Sequence, residues 1–455
     1  MQKFLLAFLI LFSVARPSDC VVRKVLVRGP GNAETAKLFE PLENARCEAV
    51  DDFIRETVDD FAENGYPFAR ASYAIDSSKV LTVSFERGSS WVFAEALNAD
   101  SSKSRPETFH RLSGISAGSP VHLSDMEKAE RRLVNSGYFE STGRPSLFRD
   151  SVRHRLYPVF YMRDMSVNSF EGMLSYMSGE DGGLSGNVEL SLYNIRGTGR
   201  NLLLSGVSGD WERSLSGSYR EPFLLGTGWN GIVRFDFDED SLSRTALFEA
   251  GVSRNVGFFW EFSVLGGIGN DRLTYTLEAD FKNLDRMVLP RHGQSFSGSF
   301  RVIRNRSDSS HAFTTNLHAD GEVYTPVANR VVLHTSFFVG TLLPSNRHFH
   351  REDLFELGGV ENLKGYRPGF FRTRAYGITE LDLQWRILNA TALHGFFLPG
   401  LHRAESPAHG WSDTYSYGVG ISQYRNYWSF SLFYALHLGN DALDGLLHFG
   451  VKALF

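Results

Sequence analysis

Two short groups of residues have the types and spacing that metal binding or phosphate binding could use. His348, His350 and Asp353 are spaced like metal ligands, but they stand in a long loop without a further clustered ligand. Gly197-Thr198-Gly199 resembles a phosphate loop, but no helix follows it, so a hairpin turn is predicted. The sequence contains no Gly-x-Ser-x-Gly elbow, no His-Glu-x-x-His helix and no paired-cysteine metal site. We therefore predict no enzyme activity, no metal and no cofactor.

The third chemical feature is a single pair of cysteines, Cys20 and Cys47. A short basic start and an apolar run from Phe4 to Ala15 precede them, as in a signal peptide. Cleavage after Ala15 would carry both thiols into an oxidising compartment, where they can form a disulfide, and two free thiols are the alternative. We predict a signal peptide over residues 1–15, or to residue 20 if cleavage occurs later.

Composition limits the partners that the chain can have. The net charge of −5 argues against a nucleic-acid binder. No window holds the roughly 20 apolar residues that a membrane-spanning helix needs. The 37 Phe, 17 Tyr and 7 Trp are an unusually large aromatic share, and barrel strands alternate between lipid and lumen, so that their mean hydropathy stays low. A membrane-spanning barrel therefore remains open.

The region from residue 21 to 165 contains one pattern twice. The first copy has a predicted strand, then two predicted helices, then two more predicted strands. In this order they are Val21–Arg28, Ala33–Leu42, Cys47–Asn64, Phe68–Ile75 and Val80–Phe85. The second copy repeats the order: Trp91–Ala96, Glu107–Leu112, Met126–Asn135, Ser146–Val152 and His154–Tyr161. Gly65 and Gly137 follow the second helix of each copy, as helix-ending glycines do. The pattern predicts two consecutive β-α-α-β-β modules.

From Phe170 onward the period changes to two. Trp229, Val233 and Phe237 alternate with polar residues, and the same holds for residues 380–387 and 427–436. A soluble β-sandwich also alternates, but here runs of about 8–12 residues recur to the C-terminus, giving about sixteen candidate strands. An even number of long antiparallel strands is typical of an outer-membrane barrel, whose closure leaves no exposed sheet edge.

Several stretches together resemble the BamA/TamA-type outer-membrane assembly and secretion family, also called the bacterial surface antigen family. The modules are similar to POTRA domains, and the resemblance covers essentially the whole mature chain. Its most specific part is a long loop that in the family folds back into the lumen, with the signature Val-Arg-Gly-Tyr or Phe. The stretches that carry it are Gly65–Ala69, Leu133–Phe139, Asn194–Arg200, Tyr219–Pro222, Gly358-Gly359 and Leu363-Lys364-Gly365-Tyr366.

The loop departs from the family in a coupled way. Lys364 replaces the usual Arg, and Leu398 stands where a late strand often carries an Asp. Lys is a point charge rather than a bidentate fork, so its pairing is weaker. The resemblance implies that Lys364 enters the lumen and pairs with Glu380 or Asp382 on the polar face of the next strand; a solvated lysine on a surface loop is the alternative. A pair in a wet lumen would contribute about 1 kcal/mol to stability.

The C-terminus resembles the terminal strand by which barrel precursors are recognised. Its spacing is polar-x-Gly-x-x-apolar-x-aromatic, supplied by His448, Gly450, Ala453 and Phe455. We expect Phe455 to face lipid and to act in this recognition. The strands at Phe170–Met177 and Leu447–Phe455 are the candidates for a weak seam between the first and last barrel strands.

The resemblance implies a non-enzymatic protein of the outer membrane with POTRA-like domains at 21–89 and 90–165 in the periplasm and a barrel at 166–455. The expected function is to receive unfolded client chains and to insert them at the barrel. A two-partner-type secretion pore is the main alternative, disfavoured because Val21 begins a strand directly after the signal. A plain porin is a third. Lipid and client chains are the expected partners, and periplasmic accessory proteins or lipoproteins stay open.

Overall fold

The computed structural model describes most of the chain. The described residues are 20–28, 32–166, 168–176, 184–208, 212–240, 244–270, 272–305, 313–344, 349, 351–359, 362–366, 369–388, 390–404, 410–425, 428–437, 439 and 445–454. The chain forms two compact units. Of the described residues, the first unit holds those from 20 to 99 together with 113–130 and 143–161, and the second holds 100–112, 131–142 and those from 162 onward. The domain boundaries predicted from the sequence remain predictions.

The first unit contains a three-stranded sheet covered by helices. β1 runs parallel to β3, and β2 runs antiparallel to β3 on its other side. The apolar face of α2 buries Val50, Ile54 and Val58 against this sheet, which is the face that the helical spacing predicts. The elements are β1 (Lys24–Arg28), α1 (Asn32–Phe39), a 3-10 turn (Glu40–Leu42), α2 (Cys47–Glu63), β2 (Arg70–Ile75) and β3 (Val80–Glu86).

The second β-α-α-β-β pattern also forms, with one interruption. Two short strands replace the single strand predicted over Trp91–Ala96, and both lie parallel to β7. The register shifts between them opposite Pro158, which has no backbone N–H to donate. The strands predicted over Ser146–Val152 and His154–Tyr161 are longer than expected. The elements are β4 (Val92–Phe93), β5 (Leu97–Asn98), α3 (Pro106–Ser113), α4 (Ser124–Asn135), β6 (Phe139–Asp150) and β7 (Arg155–Asp164).

The second unit contains a closed barrel, in which sixteen antiparallel strands of the described chain pair in sequence order. A short extra strand, β19, pairs with β20 inside the long loop after β18. The strands are β8 (Ser169–Tyr176), β9 (Leu184–Ile195), β10 (Arg200–Ser208), β11 (Glu212–Glu221), β12 (Trp229–Asp240), β13 (Arg244–Val256), β14 (Trp260–Gly269), β15 (Arg272–Leu284), β16 (Gly293–Asn305), β17 (Phe313–Ala328), β18 (Val331–Leu343), β19 (Phe355–Leu357), β20 (Phe371–Leu388), β21 (Thr391–Ala404), β22 (Trp411–Arg425), β23 (Trp428–His437) and β24 (Leu446–Leu454).

The barrel wall has an apolar outer face and a polar inner face. Exposed side chains such as Val264, Leu383 and Val419 alternate along their strands with buried polar ones. A row of aromatic rings runs along the outside from β14 to β18. Its ring centroids are 5.0–6.0 Å apart, from Trp260 through Phe281 and Phe296 to Phe337. Aromatic girdles of this kind lie at membrane interfaces. The predicted outer-membrane barrel is therefore confirmed.

The turns at one end of the barrel contact the end of α4. The Arg132 guanidinium donates to the carbonyl oxygen of Gly257 at 2.6 Å, between β13 and β14. Asn135 exchanges two hydrogen bonds with the backbone of Leu284, at the end of β15. Burial lowers the pKa of Arg132 from its usual value. The N-terminal region lies in the periplasm. Among the described residues, no helix is long and apolar enough to cross a membrane.

Candidate functional site

The lumen loop, residues 344–370 between β18 and β20, contains the family-like motif. Its tip is closed by backbone hydrogen bonds: the Gly359 N–H donates to the Tyr366 carbonyl oxygen at 2.9 Å. The Gly358 N–H donates to the Asn362 side chain, also at 2.9 Å. Both glycines have positive φ, +129° and +88°, a region that glycine enters without steric cost. The double glycine thus permits the sharp fold of the tip.

The tip packs against the inner wall of the late strands. Leu363 is fully buried in an apolar cluster, and Tyr366 joins the same cluster. Gly365 lies so close to the wall that a Cβ there would stand 3.1 Å from the Ser416 Cβ and 3.2 Å from the Leu436 carbonyl. The other cluster members are Leu357, Tyr376, Ile378, Phe396, Leu398 and Ala435. The loop is therefore docked in the lumen.

Lys364 contacts one of the two acids named for it. Its ammonium group donates to both carboxylate oxygens of Glu380, at 2.7 and 2.8 Å. The same nitrogen lies 5.4 and 5.6 Å from the ring centroids of Phe396 and Phe433, within the range of a cation–π interaction. Lys364 is 8% exposed and Glu380 is 5% exposed. The pair is buried, so removal of one partner would leave the other charge buried and unpaired.

Asp382 is engaged elsewhere. It accepts hydrogen bonds from His394 Nδ1 at 2.9 Å and from Gln384 at 3.0 Å, and His394 Nε2 lies 2.8 Å from the Ser422 hydroxyl. The order Ser–His–Asp is that of a hydrolase triad. Ser422 is 3% exposed, however, so its hydroxyl satisfies the histidine inside the wall. Sequence reasoning missed His394 and Ser422, although period-two alternation places both on the lumen face.

Leu398 explains how the pair differs from the family pattern. It is fully buried in the apolar cluster on β21. The pairs Ile378↔Gly400 and Leu381↔Phe397 set a register in which Leu398 stands opposite Glu380 on β20. The acid that pairs with Lys364 in this chain is therefore Glu380 on β20. The position at which the resemblance led us to expect an Asp is Leu398, on the neighbouring strand β21.

The seam, the contact between β24 and β8, is the shortest pairing between barrel strands in the described part of the chain. In the described residues it consists of two pairs, Ala453↔Phe170 and Leu454↔Ser169. The neighbours on each side, β8–β9 and β23–β24, each share eight. A salt bridge of 3.2 Å from Lys452 to Glu189 on β9 spans the seam. The barrel is thus closed by few backbone contacts between its first and last strands.

The other residues named from the sequence fall in several places. Gly450 and Ala453 lie on β24, and His448 on that strand accepts a hydrogen bond from the Gly365 N–H. Phe455 lies outside the described residues, as do His348 and His350, while Asp353 accepts from Arg272 at 3.2 Å. Gly197 and Gly199 lie in the turn between β9 and β10.

Cys20 and Cys47 form a disulfide in the first unit, with Cα atoms 5.3 Å apart. Cys47 is the first residue of α2, and Cys20 lies just ahead of β1. The disulfide therefore links the start of the described chain to that helix.

Solved structures share the fold. CdiB from Escherichia coli matches at 14% identity over 99% of this chain and 94% of that chain, with a TM-score of 0.64. CdiB from Acinetobacter baumannii matches at 12% identity over 97% and 91%, with a TM-score of 0.57. BamA from Haemophilus ducreyi lacking POTRA domains 1-3 matches at 14% identity over 96% and 99%, with a TM-score of 0.49. No family model and no curated protein matches the chain. The two CdiB likenesses confirm the predicted fold.

Proposed function

We propose that this outer-membrane barrel, which shares its fold with CdiB, is a non-enzymatic factor that assembles client proteins into the outer membrane. The clients are unfolded outer-membrane chains, received by the N-terminal β-α-α-β-β modules, where exposed sheet edges accept an extended strand. Folding then proceeds at the seam, where the client strand pairs with β24 or β8.

The observation that carries the proposal is the seam. A closed barrel satisfies its backbone hydrogen bonds through strand pairing, and each unsatisfied group in lipid costs several kcal/mol. Only two residue pairs join β24 to β8 in the described chain, so the seam is the cheapest place to open the wall. A client strand that pairs there satisfies the backbone groups that opening exposes.

The docked loop supports the same function. It fills part of the lumen beside β20–β24 and is fixed by the buried Lys364–Glu380 pair. A lumen occupied in this way disfavours passage of a client chain through the pore and favours folding of the client at the barrel wall. Translocation of one dedicated exoprotein through the lumen, after withdrawal of the loop, is the second candidate function.

A reversible covalent closure of the seam separates the two candidates. Phe170 and Ala453 are register partners on the outer face, so the double variant F170C/A453C tethers β8 to β24 when oxidised. Purified protein in liposomes is supplied with an unfolded outer-membrane barrel as client, and client folding is read from its altered gel migration before and after boiling. We expect the oxidised tether to abolish most of the stimulation and reduction to restore it.

The matched control tethers two strands away from the seam. Leu192 and Leu202 are register partners on β9 and β10, and the L192C/L202C tether should leave client folding unchanged. Full stimulation with the seam tethered would refute assembly at the seam and favour passage through the lumen. If the wild-type chain gives no stimulation of any barrel client, the assembly function itself is refuted.

A further inference from the structure

His448 on the terminal strand contacts the lumen loop directly. The backbone N–H of Gly365 donates to His448 Nε2 at 3.4 Å. One residue further along the loop, the Tyr366 ring stacks on His437 of β23, with centroids 4.8 Å apart and planes at 17°. The last two strands of the barrel thus contact two consecutive loop residues through histidine rings.

In the described residues, the part of β24 that carries this contact forms no pairs with β8 across the seam. The two pairs with β8 involve Ala453 and Leu454, at the end of the strand, whereas His448 stands five residues earlier. In the described chain, β23 is the strand that pairs with β24 at His448, through Phe433. The hydrogen bond from Gly365 therefore contacts this segment from the lumen side.

The hydrogen bond depends on the protonation state of the histidine. Nε2 can accept from a backbone N–H only in the neutral ring, because both ring nitrogens of the protonated form are donors. Histidine changes its charge between about pH 5 and 8. Protonation would also place a second cation near the Lys364 ammonium, whose carboxylate partner Glu380 is already used. Acid therefore removes the acceptor and adds repulsion.

We propose that His448 is a positioning residue that couples the lumen loop to the terminal strand, and that mild acid uncouples them. The coupling itself does not rest on the proposed function; only its consequence, that uncoupling eases opening of the seam, does. The charged and titratable groups around the contact are Lys364 and Glu380 at the loop, His437 on β23, Lys452 on β24, and Glu189 on β9, which pairs with Lys452.

Hydrogen exchange of the whole purified protein in lipid nanodiscs tests the coupling without a client. The measured quantity is the protection factor of the peptides covering 363–366 and 446–452, corrected for the intrinsic pH dependence of exchange. We expect the wild-type protection of both peptides to fall by about tenfold or more between about pH 8 and about pH 4.5, a window that contains the usual range of histidine titration, about pH 5 to 8.

Two variants identify the residue responsible. His448→Gln keeps a carbonyl acceptor and cannot become charged in this range, so its protection should be high at both pH values. His437→Phe keeps an aromatic ring for Tyr366 and should lose protection at low pH as the wild type does. The proposal is overturned if wild-type protection does not change with pH, if His448→Gln retains the wild-type loss, or if His437→Phe abolishes that loss. A barrel that fails to insert clients leaves this readout intact, so the two hypotheses fail separately.

Discussion

Replacing Lys364 with Met should release the lumen loop while the barrel stays folded. The variant leaves the Glu380 carboxylate 5% exposed and without the cation that donates to both its oxygens. Removing one partner of a buried ion pair costs about 3–5 kcal/mol, because the remaining charge is buried unpaired. A free-energy change of this size corresponds to a change of roughly two to four orders of magnitude in the docking equilibrium. The strand ladder does not use the pair, so folding should survive.

The assay combines hydrogen exchange of the loop peptide with gel migration of the unboiled barrel. We expect Lys364→Met to lose loop protection by about 100-fold or more and to keep the folded migration. Lys364→Met with Glu380→Gln should recover part of that loss, because the buried charge is gone. Asp382→Asn is the matched control: Asp382 bonds to His394 and Gln384, so its effect should add to that of Lys364→Met within about 0.5 kcal/mol. Unchanged loop protection in Lys364→Met, or equal coupling to both acids, would refute this reasoning.

Two further predictions concern the loop glycine and the disulfide. Gly365→Ala should undock the loop at a cost of about 1–3 kcal/mol, because the added Cβ would meet the barrel wall. Gly369→Ala is the control: this residue also has a positive φ, +66°, but the nearest atom to an added Cβ is 3.4 Å away, so docking should be retained. Equal loss of loop protection in both variants would contradict the wall contact. Cys20 and Cys47, 27 residues apart, should give no labelled thiols in denatured, unreduced mature protein and two after reduction. Cys47→Ser should destabilise the first unit by about 3 kcal/mol. Labelling of both thiols without reductant would exclude the bond.

Alternation and spacing suffice to predict the fold class because each strand and helix reports its own faces. Phe248 and Glu249 are neighbours, yet one faces out and the other is 1% exposed inside, which a period of two predicts. The residues at which strands begin and end are harder to predict from alternation and spacing. The break between β4 and β5 depends on Pro158 of a strand that lies about sixty residues further on, and no local pattern near Trp91 contains that information.

The partner of Lys364 could not be predicted from the sequence alone, because it depends on the register between strands and on where the loop docks. Glu380 and Asp382 share the lumen face of β20, so sequence spacing alone leaves both open as partners of Lys364. The choice follows from where the loop tip docks, beside Leu398 and Phe396 of β21. Burial of the pair likewise depends on the return of the loop into the lumen, a long-range event. The hydrogen bond from Gly365 to His448 joins residues 83 positions apart and has no signal in the local sequence.

The central claim is that the chain assembles outer-membrane barrels at its seam, and depletion in the native bacterium tests it most directly. The chain is depleted, the outer-membrane fraction is quantified by mass spectrometry, and plasmid copies of the wild type or of F170C/A453C are supplied. The account predicts that folded barrels are lost broadly, that the wild-type copy restores them, and that the tethered copy does not. Loss of a single exported protein with the barrels unchanged would contradict the account.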